Sequence, residues 1–112
     1  MDVICFQPGG NTVAFTADTT APSPVHATIS GTWAPPNMQY RVLTVGSGVV
    51  HLGIGTSAAA ATANASVVTS SGAAIPLQPG TDEILSFPPN AYFTGITASG
   101  TVIVYITPGT GL

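Results

Sequence analysis

Thr, Val, Ile, Tyr and Phe dominate the short segments that lie between Gly and Pro punctuation along the chain. These side chains suit a pleated, half-buried surface, so the segments read as β-strands. Candidate strands are Thr12–Ala17, Val25–Ile29, Gln39–Val45, Val49–Ile54, Val67–Ser70, Ala74–Gln78, Glu83–Phe87, Tyr92–Thr97 and Thr101–Thr107. Their starts recur every ~8–12 residues or slightly more, the rhythm of a sandwich or barrel. The pattern predicts an all-β protein: an antiparallel β-sandwich or jelly-roll-like single domain of about eight strands over residues 1–112, with 1–11 as an N-terminal arm.

Gly46-Ser47-Gly48 between two apolar runs reads as a tight hairpin, and Pro79-Gly80-Thr81-Asp82 and Ala98-Ser99-Gly100 read as turns. Almost every position of Thr101–Thr107 is apolar or β-branched, which predicts burial on both faces. Two Pro-rich segments, Thr20-Ala21-Pro22-Ser23-Pro24 and Trp33-Ala34-Pro35-Pro36-Asn37-Met38, resist the strand reading and are expected to be extended loops. The Ala-rich run from Ser57 to Ala65 has helix propensity but no amphipathic face, and isolated helices this short are marginal in water. It fits a helical turn or an ordered loop equally well.

Composition sharpens this picture. At 112 residues the chain has the size of one domain, and with 45% hydrophobic residues and little charge it should fold despite 13 Gly and 10 Pro. Charged residues make up 4% of it, against roughly a quarter in ordinary soluble domains. They are Arg41, Asp2, Asp18, Asp82 and Glu83. A surface this poor in charge does little to keep copies apart, so much of it is expected to be covered by other protein. One basic side chain cannot neutralise a run of phosphates, which argues against nucleic acid and anionic membrane as partners. No stretch has the roughly 18 apolar residues of a spanning helix, and the start lacks the basic region of a signal peptide. Cys5 stands alone, as expected of a chain made in a reducing cytoplasm.

Candidate chemistry is thin. Gly53-Ile54-Gly55-Thr56-Ser57-Ala58 matches the opening of a dinucleotide-binding turn, yet no acidic residue follows at the required distance, since Val42 to Thr81 carries no charge. The glycines are more simply loop and close-packing residues. Asp82 and Glu83 are adjacent, so on a strand they point to opposite faces and cannot flank one bond. His26 and His51 lie on different predicted strands with no Cys, Asp or Glu at ligand spacing. No serine sits in G-x-S-x-G, and Asn64-Ala65-Ser66 matters as a glycosylation motif only in a secreted chain. These residues predict a non-enzyme with no cofactor and no metal.

The loop holding Trp33, Pro35, Pro36, Met38 and Tyr40 is the candidate contact surface, because aromatic and Met side chains are enriched at interface centres. The alternative is that Trp33 and Tyr40 plug one end of the domain's own core.

Three C-terminal segments carry a resemblance: Ile75-Pro76-Leu77-Gln78-Pro79-Gly80, Glu83 to Asn90, and Gly100 to Gly111. Together with Arg41 to Gly46 and Val49 to Thr56, they resemble small virion proteins of tailed bacteriophages, of the head decoration or cement type. The likeness covers about residues 39–112 and rests on turn-and-strand patterns, so no functional residue is carried over. It implies a sandwich that assembles into homotrimers on the capsid surface, with the major capsid protein as partner. Tail and fibre proteins share the Thr, Gly and Ala richness, which leaves a tail-attached or carbohydrate-binding receptor module as the other reading.

Overall fold

A computed structural model describes residues 6–28 and 38–110. Among them are nine strands and one helix: β1 (Gln7–Pro8), β2 (Val13–Ala17), β3 (Val25–His26), β4 (Met38–Val45), β5 (Val50–Gly55), α1 (Ala58–Asn64), β6 (Ile75–Leu77), β7 (Asp82–Phe87), β8 (Tyr92–Thr97) and β9 (Val102–Thr110). All the strand pairs are antiparallel. The larger sheet runs β2-β9-β4-β7, with β1 extending the β2 edge along the end of β9; the smaller runs β3-β8-β5-β6.

The pairing has a simple rule. β2 pairs with β9, β3 with β8, β4 with β7 and β5 with β6, as if the chain were one long hairpin folded back on itself. Rolling that hairpin brings β9 against β4 and β8 against β5, which is the jelly-roll arrangement of the β-sandwich.

Alternation along the strands puts the core between the sheets. Met38, Tyr40 and Val42 of β4 and Val102, Val104 and Ile106 of β9 face Val50 and Leu52 of β5 and Phe93 of β8, all at most 2% exposed. The Tyr40 and Phe93 rings meet edge-on, centroids 5.0 Å apart. The Tyr40 hydroxyl donates to the Pro88 carbonyl at 2.7 Å and accepts from the Ala91 N–H at 3.2 Å, so its one polar atom is satisfied inside the core. Burial pushes its phenol above the ordinary value, and the Ala91 bond offsets part of the rise.

Three expectations are corrected. Gly46-Ser47-Gly48 is not a hairpin turn: β4 and β5 lie in different sheets, so the segment arches across the sandwich. The turn read at Ala98-Ser99-Gly100 is present, with Gly100 at φ 75°, and it too crosses between the sheets, from β8 to β9. The last strand is buried on one face only, with Ile103 and Tyr105 exposed, because nothing among the described residues covers the outer side of the larger sheet. Val67–Ser70 forms no strand, since the Val68 N–H bonds a histidine ring instead of a ladder partner.

The Ala-rich run forms helix α1. Ser57 caps it, its hydroxyl accepting from the Ala60 N–H at 3.1 Å, and the Asn64 amide donates to the Ile54 carbonyl at 2.9 Å. Of the proposed arm, Gln7 and Pro8 pair with Thr110 and Gly109.

Candidate docking surfaces

Each sheet has an inner face in the core and an outer face, and the two outer faces differ. On the smaller sheet the outward positions of β5 are His51, Gly53 and Gly55, opposite Ile96, Thr94 and Tyr92 of β8. Each row of that grid is covered. Helix α1 lies directly on the two glycines: a Cβ at Gly53 would run into the Ala61 carbonyl oxygen, and one at Gly55 would stand 2.5 Å from the Ala61 nitrogen. Thr94 is fully buried and donates to the Pro22 carbonyl at 2.7 Å. His51 Nδ1 accepts the Val68 N–H at 3.2 Å, so that nitrogen is unprotonated and the ring sits beneath the segment after α1. His26 stacks on Tyr92, with centroids 4.0 Å apart, and bonds the Asn90 carbonyl through Nε2 at 2.9 Å.

The outer face of the larger sheet carries the rows Thr16–Ile103–Val45, Ala14–Tyr105–Leu43–Asp82 and Thr12–Thr107–Arg41–Ile84. At its centre Leu43, Val45, Ile103 and Tyr105 are 36%, 50%, 38% and 37% exposed. They are four of the six large apolar side chains exposed among the described residues, and they adjoin one another. A contiguous apolar patch of this kind marks an interaction site far more often than scattered single residues do. Beside it, Arg41, Leu43, Tyr105, Thr12 and Thr107 line a shallow hollow of about 300 Å³. The patch is electrically self-contained, because Arg41 holds Asp82 through two bonds, Nε to Oδ1 at 2.9 Å and Nη2 to Oδ2 at 2.7 Å. Those bonds keep the Asp82 carboxyl below the ordinary carboxylate range.

No family model, curated protein or solved structure matches this chain. The reading of its surfaces therefore rests on their own chemistry.

A second exposed feature lies on the flank where β6 and β7 are the free edges of their sheets. The turn between them is pinned to β4: Thr44 N–H donates to the Thr81 carbonyl at 3.0 Å, Thr44 Oγ1 donates to the Gln78 carbonyl at 3.2 Å, and Thr81 N–H donates to Thr44 Oγ1 at 2.9 Å. Away from that turn the flank opens. Leu85 and Phe87 face inward, opposite Tyr40 and Met38, yet stay only half-buried, and Ile75 is 38% exposed.

The contact surface expected at 33–40 divides. Met38 and Tyr40 point inward from β4, at 2% and 0% exposure, and serve the core rather than a contact surface, while Trp33, Pro35 and Pro36 lie outside the described residues. The dinucleotide-type glycines are filled by α1, which leaves no room for a phosphate against them. Asp82 and Glu83 do face opposite ways, Asp82 toward Arg41 on the outer face and Glu83 toward the flank. No group of three His, Cys, Asp or Glu comes together among the described residues.

Proposed function

We propose that this chain is a non-enzymatic structural protein of a bacteriophage virion, a capsid decoration or cement protein that docks on the major capsid protein and works as a homo-oligomer. The observation that carries the reading is the bare outer face of the larger sheet, where Leu43, Val45, Ile103 and Tyr105 form one apolar stripe with a neutralised ion pair at its side. A chain with a 4% charge content that leaves such a stripe exposed when alone is suited to burying it against a neighbour. The jelly roll is found in capsid domains, lectins and cupins alike, so the fold supports this reading without deciding it.

Apolar contacts, unlike exposed ion pairs, are only weakly screened by salt. Binding to phage particles assembled without the protein is expected to be saturable and to survive about 1 M salt, where the screening length is ~3 Å. The double variant Val45→Ser/Ile103→Ser is expected to stay folded and to lose particle binding in a co-sedimentation assay. Release of most wild-type copies by moderate salt, or undiminished binding by the double variant, would overturn the reading.

A further inference from the structure

The flank between β6 and β7 has the makings of a strand-binding groove. Two adjoining hollows, of about 280 and 290 Å³, share Ile75 and Leu85 and run on along the two edges, from Glu83 near the turn to Phe87 at the open end. β6, paired only with β5, has no N–H at its central Pro76 and lines the groove with side chains, whereas β7 pairs only with β4 and presents a row of backbone N–H and C=O groups on its other edge. Edges of this kind are the usual templates for an added strand, whose alternate side chains then enter pockets between the sheets. Here those pockets exist already, because Leu85, Phe87 and Ile75 are core-type side chains left incompletely covered.

Charge says what kind of strand fits. Glu83 projects into the turn end of the groove and has no ion-pair partner among the described residues. The chain's one cation, Arg41, is committed to Asp82 on the opposite face of the same sheet. A second copy of the chain joining edge to edge would bring another carboxylate and no free cation, so it is the wrong occupant. We infer that the β6–β7 groove binds an extended segment of a different protein, with apolar residues at alternate positions and a Lys or Arg placed to meet Glu83. The inference rests on the reading above in one respect, that the segment comes from a neighbouring protein of the assembly. At ~3.3 Å per residue, the six residues of β7 accommodate about 20 Å of such a strand.

The probe is a capped eight-residue peptide that alternates Val and Thr with one Val replaced by Lys, titrated into the isolated ¹⁵N-labelled protein. Amide shifts are expected at Ile75, Glu83, Leu85 and Phe87, and not on the outer face of the larger sheet. A peptide with Glu in place of Lys is expected to bind about tenfold more weakly, the effect of one charge-assisted contact. Glu83→Gln, an exposed substitution that leaves the core intact, is expected to erase that preference. The inference is overturned by absence of shifts at millimolar peptide, by shifts confined to the Leu43–Tyr105 face, or by equal affinity for the Lys and Glu peptides. A protein that takes the Lys peptide in the groove but fails to bind particles removes the capsid reading and leaves the groove. Particle binding with no peptide binding does the reverse.

Discussion

The two sheets of this sandwich are built to the same plan but finished differently on the outside. The smaller sheet is roofed by the chain's own α1, by the segment at Val68 and by the Pro22 segment, so even its outward Thr94 and His51 are buried. The larger sheet, with longer strands and larger apolar side chains, has no roof among the described residues, and Val45 is half exposed. A chain that spends a helix and two loops on covering Gly and Thr, while leaving Leu, Val, Ile and Tyr in water, makes sense when the second face is covered from outside. The difference lies in the linkers: the long β5–β6 connection folds back over its own sheet, whereas the four-residue connections β4–β5, β6–β7, β7–β8 and β8–β9 have nothing to spare for the larger one.

The strongest way to break the contrast is to remove the roof. Gly53→Val puts a branched side chain where the Ala61 backbone lies, and helix and strand cannot both keep their places. A loss of about 2–4 kcal/mol is expected, at the upper end of overpacking effects. Chemical denaturation measures it, and a loss under about 1 kcal/mol would show that α1 contributes little to the smaller sheet.

The polar ties come next. Thr94→Val keeps the shape but leaves the part-buried Pro22 carbonyl without its donor, with an expected cost of ~1–2 kcal/mol. His51→Phe should cost a similar ~1–2 kcal/mol by stranding the Val68 N–H, and His51→Asn less, since its amide oxygen can stand near the position of Nδ1. Amide exchange at Val68 checks the second pair: equal protection in the wild type and His51→Phe would mean the bond holds nothing.

How much of this contrast could be read in advance varies with the kind of interaction. Strand positions were legible wherever Thr, Val, Ile and aromatic residues ran between Gly and Pro, as in β4, β5, β7 and β8, because that signal is local. The two-residue β1 was not, since Gln7-Pro8 has no strand character and is held only by the end of β9. Which strands shared a sheet was also hidden: a hairpin turn and a sandwich arch use the same Gly-Ser-Gly chemistry, and only long-range pairing separates them. Val67–Ser70 has strand-type residues, but the Val68 N–H is taken by the His51 ring beneath it rather than by a ladder partner, which residue type alone does not reveal. Met38 and Tyr40 are residue types common at contact surfaces, but residue type cannot tell the inward from the outward side of a strand; the alternation of β4 settles it, and the same alternation puts Leu43 and Val45 on neighbouring positions of opposite kind to Tyr40 and Val42. Had the register of β4 against β9 been known, the apolar stripe would have followed from the sequence alone.

Substitutions on the bare face should show the reverse pattern to those on the roofed one. Val45→Ser and Ile103→Ser remove exposed apolar surface and are expected to change stability by no more than ~0.5 kcal/mol each. Their effect should instead appear in association: light scattering at micromolar concentration is expected to show the wild type self-associating and the double variant dispersed. A monodisperse wild type would remove self-association through this stripe and leave the particle-binding test to decide its role.

The smallest effect belongs to the one ion pair on that face. Asp82 is held below the ordinary carboxylate range by its bonds to Arg41, so its folded-state pKa is depressed relative to the unfolded chain. A depressed carboxylate adds stability that is present above its unfolded value, near ~3.9, and is lost as pH falls through the folded value. Because both side chains are about half exposed, 51% and 46%, the contribution is strongly screened and the pH dependence shallow. The wild type and Asp82→Asn should therefore differ slightly in thermal midpoint at neutral pH and converge once the pH falls below the depressed folded-state value, whereas raising salt at neutral pH should narrow the gap without acid. In an NMR titration the Asp82 carboxyl is expected to have a midpoint below that of free Asp, moving upward in Arg41→Gln. A midpoint at the free value in the wild type would mean that the pair does not persist in solution, and that the apolar stripe is bordered by a free cation rather than a neutral pair.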